Sequence, residues 1–229
     1  MRVLSVTHGP SVPGGVFDEV VESAGHRLER WSVPEGHAPD PASDYDAVMV
    51  FGGSMHPDQD DRFAWLEREE EFLQEVLAER VPVFGVCLGA QMLARAAGAK
   101  VGPASELEIG WLDVELTAAG RSDPVLGVLP PRATVFLWHH YTFEIPDGGA
   151  KLAESDMCLQ AFRLEQPAWA IQFHAEVTLP MLTAWAGELP DDLPMTAGAF
   201  VAASQAEIER SNDQGRALCA AFLREAAAA

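Results

Sequence analysis

Cys87 lies in the pentapeptide Gly85-Val86-Cys87-Leu88-Gly89, and a lone cysteine at the junction of an apolar run and an Ala/Leu-rich segment can act as a nucleophile on a strand-to-helix elbow. Residues 81–86 read as a buried strand entering the cysteine, and residues 88–97 as a helix leaving it. Glycine on either side removes the Cβ clash of a sharp turn, so the sulfur is expected to project from a strained corner. That geometry leaves the Leu88 N–H able to meet a developing oxyanion, and the positive end of the helix favours a thiolate over a thiol. Taken alone, the pentapeptide fits a buried structural cysteine equally well.

A thiol nucleophile needs a base to take its proton and a carboxylate to hold that base in one tautomer. Ala170-Ile171-Gln172-Phe173-His174-Ala175-Glu176 supplies both types after an alternating apolar stretch. Residues two apart on a strand share a face, which lets His174 and Glu176 act as a pair. By itself a His-x-Glu also fits a solvated strand end.

Gly85 to Gln91 together with Gln172 to Glu176 resemble the class I glutamine amidotransferases, and further motifs follow in the same order. Phe51-Gly52-Gly53-Ser54-Met55 resembles the family's glycine loop. Glu108-Ile109-Gly110-Trp111, Trp138-His139-His140 and Gln160-Ala161-Phe162-Arg163 resemble motifs of its stand-alone members, which are similar to the glutaminase part of GMP synthase. The resemblance spans residues 48–177. It implies Cys87 as nucleophile, His174 as base and acid, Glu176 as its orienter, and the amides of Gly53 and Leu88 as an oxyanion hole. Gln91, one turn into the elbow helix, reads either as a substrate-placing amide or as a buried structural one, and His139 joins the substrate-binding candidates. The chain departs from the family at Ala175, where relatives carry proline, at Ser54, again often proline, and at Tyr141, where many relatives carry aspartate.

The implied reaction is attack of Cys87 on the γ-carbonyl of glutamine or a γ-glutamyl compound, passing through a γ-glutamyl thioester, with no metal or organic cofactor required. His139 and His140 are not expected to join His174 as metal ligands, because ligation would compromise the base. The chain carries no phosphate-loop motif, so ammonia would go to a separate synthase subunit. Alternatively the chain works alone as a γ-glutamyl peptidase or hydrolase, or serves as a non-catalytic regulatory domain.

Positioning these groups requires strands that end together. Residues 3–7, 28–33, 47–51 and 81–86 read as strands, with helices at 17–23, 63–79 and 88–97, and such alternation indicates a parallel sheet flanked by helices. Short strands at 112–116, 134–138, 151–153, 159–163 and 168–173 read as a mixed or antiparallel extension. Residues 188–194 read as a loop and 197–227 as a helix. The expected fold is a single-domain α/β sandwich over residues 1–229, with the site at the carboxyl ends of the strands.

Composition fits this reading. A net charge of −20 with two lysines, Lys100 and Lys151, excludes a phosphate-binding surface and hence a nucleic-acid partner. No apolar run approaches the roughly 20 residues of a membrane span, and the first residues read as a strand rather than a leader. Cysteines at 87, 158 and 219 lack disulfide or metal spacing, which suits the cytoplasm; the latter two read as packing residues. The acidic runs 58–61 and 67–71 read as solvated faces, with Trp65, Phe72, Val76 and Leu77 as the buried side of their helix. Oligomeric state is left open.

Overall fold

Residues alternating along each strand separate two apolar faces, and helices cover both. The computed structural model describes residues 1–189 and 195–229. The chain runs β1 (Arg2–Thr7), α1 (Gly15–Ser23), β2 (Arg27–Ser32), β3 (Ala47–Val50), α2 (Trp65–Ala78), β4 (Val83–Val86), α3 (Leu88–Ala96), β5 (Val101–Leu116), α4 (Ala118–Ser122), β6 (Arg132–Phe143), β7 (Ala150–Glu154), β8 (Leu159–Arg163), β9 (Ala168–Ile171), α5 (Leu179–Trp185) and α6 (Ala197–Ala226). One nine-stranded sheet has the order β2-β1-β3-β4-β9-β8-β7-β5-β6. The strands from β2 to β9 pair in parallel, and those from β9 to β6 pair antiparallel. This is the single α/β domain, with a parallel centre and an antiparallel extension, expected from the sequence.

Val3, Met49, Phe84 and Ile171 pack on one face with Val16 and Phe17 of α1 and Leu218 and Phe222 of α6. Leu4, Val48, Val83 and Ala170 pack on the other with Leu66, Leu73 and Val76 of α2 and Leu93 of α3. Strands buried on both faces explain why the central segments read as continuous apolar runs.

Several elements differ from the sequence expectation. β5 starts at Val101 rather than 112, and β6 spans Arg132–Phe143 rather than 134–138. Their ladder is held by main-chain pairing of two half-exposed antiparallel strands, with a register break between Pro103 and Glu108, so apolar alternation is not required there. Helix α4 is closed by the Thr117 side chain accepting from the Gly120 N–H, and α5 carries a proline in its first turn, a position that tolerates the missing N–H. Of the loop expected at 188–194, residues 190–194 lie outside the described residues. No helix among the described residues is long and apolar enough to cross a membrane.

The acidic run 67–71 is not uniformly solvated. Glu67 and Glu71 are exposed, whereas Glu69 is fully buried beside Leu66, Phe72, Leu73 and Val76; Trp65 and Leu77, expected inside, are half-buried. In the run 58–61, Asp60 is partly covered through its ion pair with Arg95 at 2.9 Å.

Packing in the parallel centre is close at Gly89, where an added Cβ would stand 2.2 Å from the Val50 carbonyl oxygen. A backbone atom cannot rotate away. Gly89→Ala is expected to lower the unfolding free energy in urea by about 1–3 kcal/mol. Gly102→Ala, where the added methyl meets open space, is expected to change it by less than about 0.5 kcal/mol.

Candidate active site

β4 delivers Cys87 at φ 52° and ψ −110°, a left-handed conformation that costs a non-glycine residue on the order of 1–3 kcal/mol. Three hydrogen bonds hold it: Cys87 N–H to Ile171 O at 2.9 Å, Gln91 N–H to Cys87 O at 3.0 Å, and Gly89 N–H to Phe51 O at 3.1 Å. The strain thus falls on the cysteine, and the flanking glycines serve close approach instead of the turn angle. A Cβ on Gly85 would lie 2.7 Å from the Gly89 carbonyl oxygen. Leu88 opens α3, so its N–H has no intrahelical acceptor.

His174 lies just past β9, where its N–H donates to Phe136 O at 2.8 Å and forms a bridge to β6. Its Nδ1 is 2.7 Å from Glu176 Oε1, with both residues buried. A carboxylate accepts only, so Nδ1 carries the proton and Nε2 remains for Cys87. Burial alone lowers the His174 pKa, but the charges of Glu176 and Cys87 and their hydrogen bonds override it and push it up to about 10. The Val16 N–H donates to Glu176 O at 2.9 Å, and α6 closes on the turn so tightly that a Cβ on Gly215 would stand 1.9 Å from Ala175 O. Packing by α1 and α6 therefore fixes this turn without the family's proline.

Cys87 and His174 open into a cavity of about 360 Å³ that Gly53, Leu88, Gln91 and His139 also line. Glu176 sits behind His174. The Gln91 amide donates to Tyr141 O at 3.0 Å and to Gln172 Oε1 at 3.1 Å, so its donors are turned to protein. His139 Nδ1 is 2.9 Å from Tyr141 O. The sequence reading did not foresee the aromatic walls, Trp138, Trp185 and His56; His56 stacks on Tyr141 with ring centres 4.1 Å apart. It also missed His8, which contacts the glycine loop, and its partner Glu69. The available signal was Glu69 itself, a carboxylate in the i, i+3, i+7 apolar stripe of Leu66, Leu73 and Val76.

Glu108, His139 and Cys158 bring ligand-type atoms within 4.8 Å of one another. Glu108 already accepts from Ser155 Oγ at 2.9 Å, Gln160 Nε2 at 2.8 Å and Cys158 Sγ at 3.3 Å, and His139 Nε2 is 3.0 Å away. Burial raises the Glu108 pKa, but hydrogen bonds from His139, Ser155 and Cys158 outweigh it and hold the carboxyl below its usual range. Burial pushes the Cys158 thiol up to about 12. The group is a hydrogen-bonded network behind His139.

Residues 18–182 match the family model described as glutamine amidotransferase class-I. The chain is 28% identical over 219 residues to the glutamine amidotransferase-like protein YfeJ of Salmonella typhimurium, covering 93% of this chain and 92% of that one. It is 32% identical over 149 residues to one subunit of the glutamine-hydrolysing GMP synthase of Haloarcula marismortui, covering 64% of this chain and 72% of that one. A crystal structure of a glutamine amidotransferase from Thermotoga maritima superposes with a TM-score of 0.88 at 26% identity, over 97% of this chain and 98% of that one.

The His174 pair makes stability depend on pH. Its folded pKa of about 10 lies above the ordinary 6.5, so the stabilisation is fully present below pH 6.5 and is lost as pH rises through about 10. Unfolding free energy measured in urea is expected to decline across that window, and His174→Gln to flatten the decline. Equal slopes for the two proteins would remove His174 as its source.

Proposed function

Because the chain belongs to the glutamine amidotransferase class-I family, we propose that it hydrolyses a γ-glutamyl amide through a thioester on Cys87, with His174 as proton carrier and Glu176 as its orienter. The observation that carries this reading is the 2.7 Å contact between His174 Nδ1 and Glu176, placed beside Cys87 in one cavity.

His174 Nε2 takes the Cys87 thiol proton, the sulfur attacks the γ-carbonyl carbon, and the carbonyl π pair moves onto oxygen, where the N–H groups of Gly53 and Leu88 donate to it. His174 Nε2–H protonates the departing nitrogen as the C–N bond breaks, leaving a γ-glutamyl thioester. His174 then takes a proton from water, whose oxygen attacks the thioester and expels the thiolate, releasing glutamate. Glu176 keeps the imidazole in the required tautomer throughout and balances its charge when both nitrogens are protonated. Gln91 and His139 support the wall that faces the substrate.

Residues 1–229 act in this reading as one amidotransferase-like domain, in the cytoplasm, where the free cysteines 87, 158 and 219 remain reduced. Glutamine is the first substrate, and ammonia passes to a separate synthase subunit; the match to one component of a GMP synthase supports such a partner. Work as a stand-alone γ-glutamyl peptidase is favoured by one feature, the aromatic wall of Trp138, Trp185 and His56 around the cavity, which suits an amine larger than ammonia.

Glutamate release by the purified chain tests both readings. Glutamine turnover that falls on the order of 10³-fold or more in Cys87→Ala supports the amidotransferase reaction. A higher kcat/KM for γ-glutamyl conjugates of glutathione type assigns the peptidase. No release from either substrate class, with a synthase partner supplied, would contradict the catalytic reading and leave the regulatory domain.

A further inference from the structure

His8 follows β1 at the carboxyl edge of the sheet and is buried, and the side chains of both His8 and Glu69 are completely enclosed. His8 Nε2 lies 2.9 Å from each Glu69 carboxylate oxygen, and His8 Nδ1 lies 2.9 Å from the Gly52 carbonyl oxygen. Both partners are acceptors, so both ring nitrogens carry protons and the ring is an imidazolium. Burial works against that charge, but the Glu69 carboxylate and the carbonyls of Gly52 and Phe51 override it and raise the pKa. Trp65 stacks on the ring with centres 5.6 Å apart and planes 26° apart, which fixes its orientation.

A buried ion pair of this kind is seldom a source of net stability, since desolvating two charges offsets their attraction. What this one does locally is pin a carbonyl. In a trans peptide the C=O and the following N–H point in opposite directions. With Gly52 O held by His8, the Gly53 N–H is directed away from His8, and Gly53 lines the cavity beside Cys87 and Leu88. The loop has no room for side chains: a Cβ on Gly52 would lie 2.8 Å from His174 Cε1, and one on Gly53 2.7 Å from Leu88 Cδ2. Two adjacent glycines rotate their shared peptide at little steric cost, so an unpinned Gly52–Gly53 peptide would populate orientations in which the N–H leaves the cavity. A charged donor on the carbonyl also polarises the peptide and strengthens its N–H.

We infer that the buried His8–Glu69 pair is the positioning element of the Gly52–Gly53 peptide, fixing and strengthening the Gly53 N–H as an oxyanion donor. This rests on the reading of Cys87 as the nucleophile and of Gly53 as a donor. His8 and Glu69 touch no reacting atom; they act through the peptide.

Two variants test it: Glu69→Gln, which removes the charge, and the double variant His8→Phe/Glu69→Leu, which replaces the pair with apolar groups and keeps a ring against Trp65. Loss of one oxyanion donor costs about 10²–10³ in kcat, so partial misorientation is expected to lower kcat for glutamine about 10–100-fold with KM within about two-fold. Alkylation of Cys87 by iodoacetamide, a displacement that forms no oxyanion, is expected to keep its wild-type rate. Unchanged kcat, or kcat and alkylation falling together, overturns the proposal. If the wild type turns over no substrate, the reaction reading fails, and the Gly53 amide resonance of ¹⁵N-labelled protein decides the positioning: displacement in both variants sustains it, and an unmoved resonance overturns it.

Discussion

The architecture around the cavity depends on one backbone constraint, the left-handed conformation of Cys87 at φ 52°. A non-glycine residue stays there only where its surroundings over-determine it. The surroundings here are the carboxyl ends of neighbouring parallel strands. Ile171 of β9 accepts the Cys87 N–H, and Phe51, after β3, accepts the Gly89 N–H. Gly85 and Gly89 let α3 settle onto those ends without a Cβ between backbones. The same packing brings the glycine loop after β3 against the turn after β9, where a Cβ on Gly52 would lie 2.8 Å from His174 Cε1 and 3.7 Å from Cys87 Cβ.

Three buried imidazole–carboxylate pairs surround the cavity: His8 with Glu69 at 2.9 Å, His139 with Glu108 at 3.0 Å and His174 with Glu176 at 2.7 Å. Removing one member of a buried ionised pair typically costs about 3–5 kcal/mol because the other charge is left unmatched, and removing one member of a neutral one leaves a buried polar group without a partner. Each pair therefore commits both of its elements to one arrangement: β1 with α2, β5 with β6, and the turn after β9. The net charge of −20 resides mainly in exposed carboxylates, whereas these three are buried, each with a histidine nitrogen within 3.0 Å. Only the His174 pair has a nitrogen directed at the sulfur. The other two hold the glycine loop and the strand that carries Trp138.

The parallel centre was legible in the sequence because its strands are buried on both faces: β3 (Ala47–Val50) ends within one residue of the expected range and β4 (Val83–Val86) at its expected end; in the antiparallel part β8 (Leu159–Arg163) coincides with expectation, and α6 ends within one residue of it. The triad candidates were legible because nucleophile, base and carboxylate lie in two short contiguous motifs. What escaped has a physical reason in each case. The first half of β5 is polar and carries Gly102 and Pro103, and its order comes from pairing with β6. Helix α5 carries Pro180 as its second residue, which reads as a breaker but fits a first turn. Glu69 looked like one of several surface acids because its partner, His8, is 61 residues away, and spacing along the chain carries no trace of such a contact. The aromatic walls come from β6, α5 and the loop after β3, which meet only once the sheet closes.

The central claim, that Cys87 forms an acyl bond with a γ-glutamyl group in this cavity, is tested most directly by acid-quenching the chain during incubation with glutamine and mapping its peptides by mass spectrometry. The account predicts a γ-glutamyl increment on the peptide containing Cys87, removed by hydroxylamine and absent in Cys87→Ala. Glutamate release without any adduct at Cys87, or with an adduct on Cys158 or Cys219 instead, would contradict it.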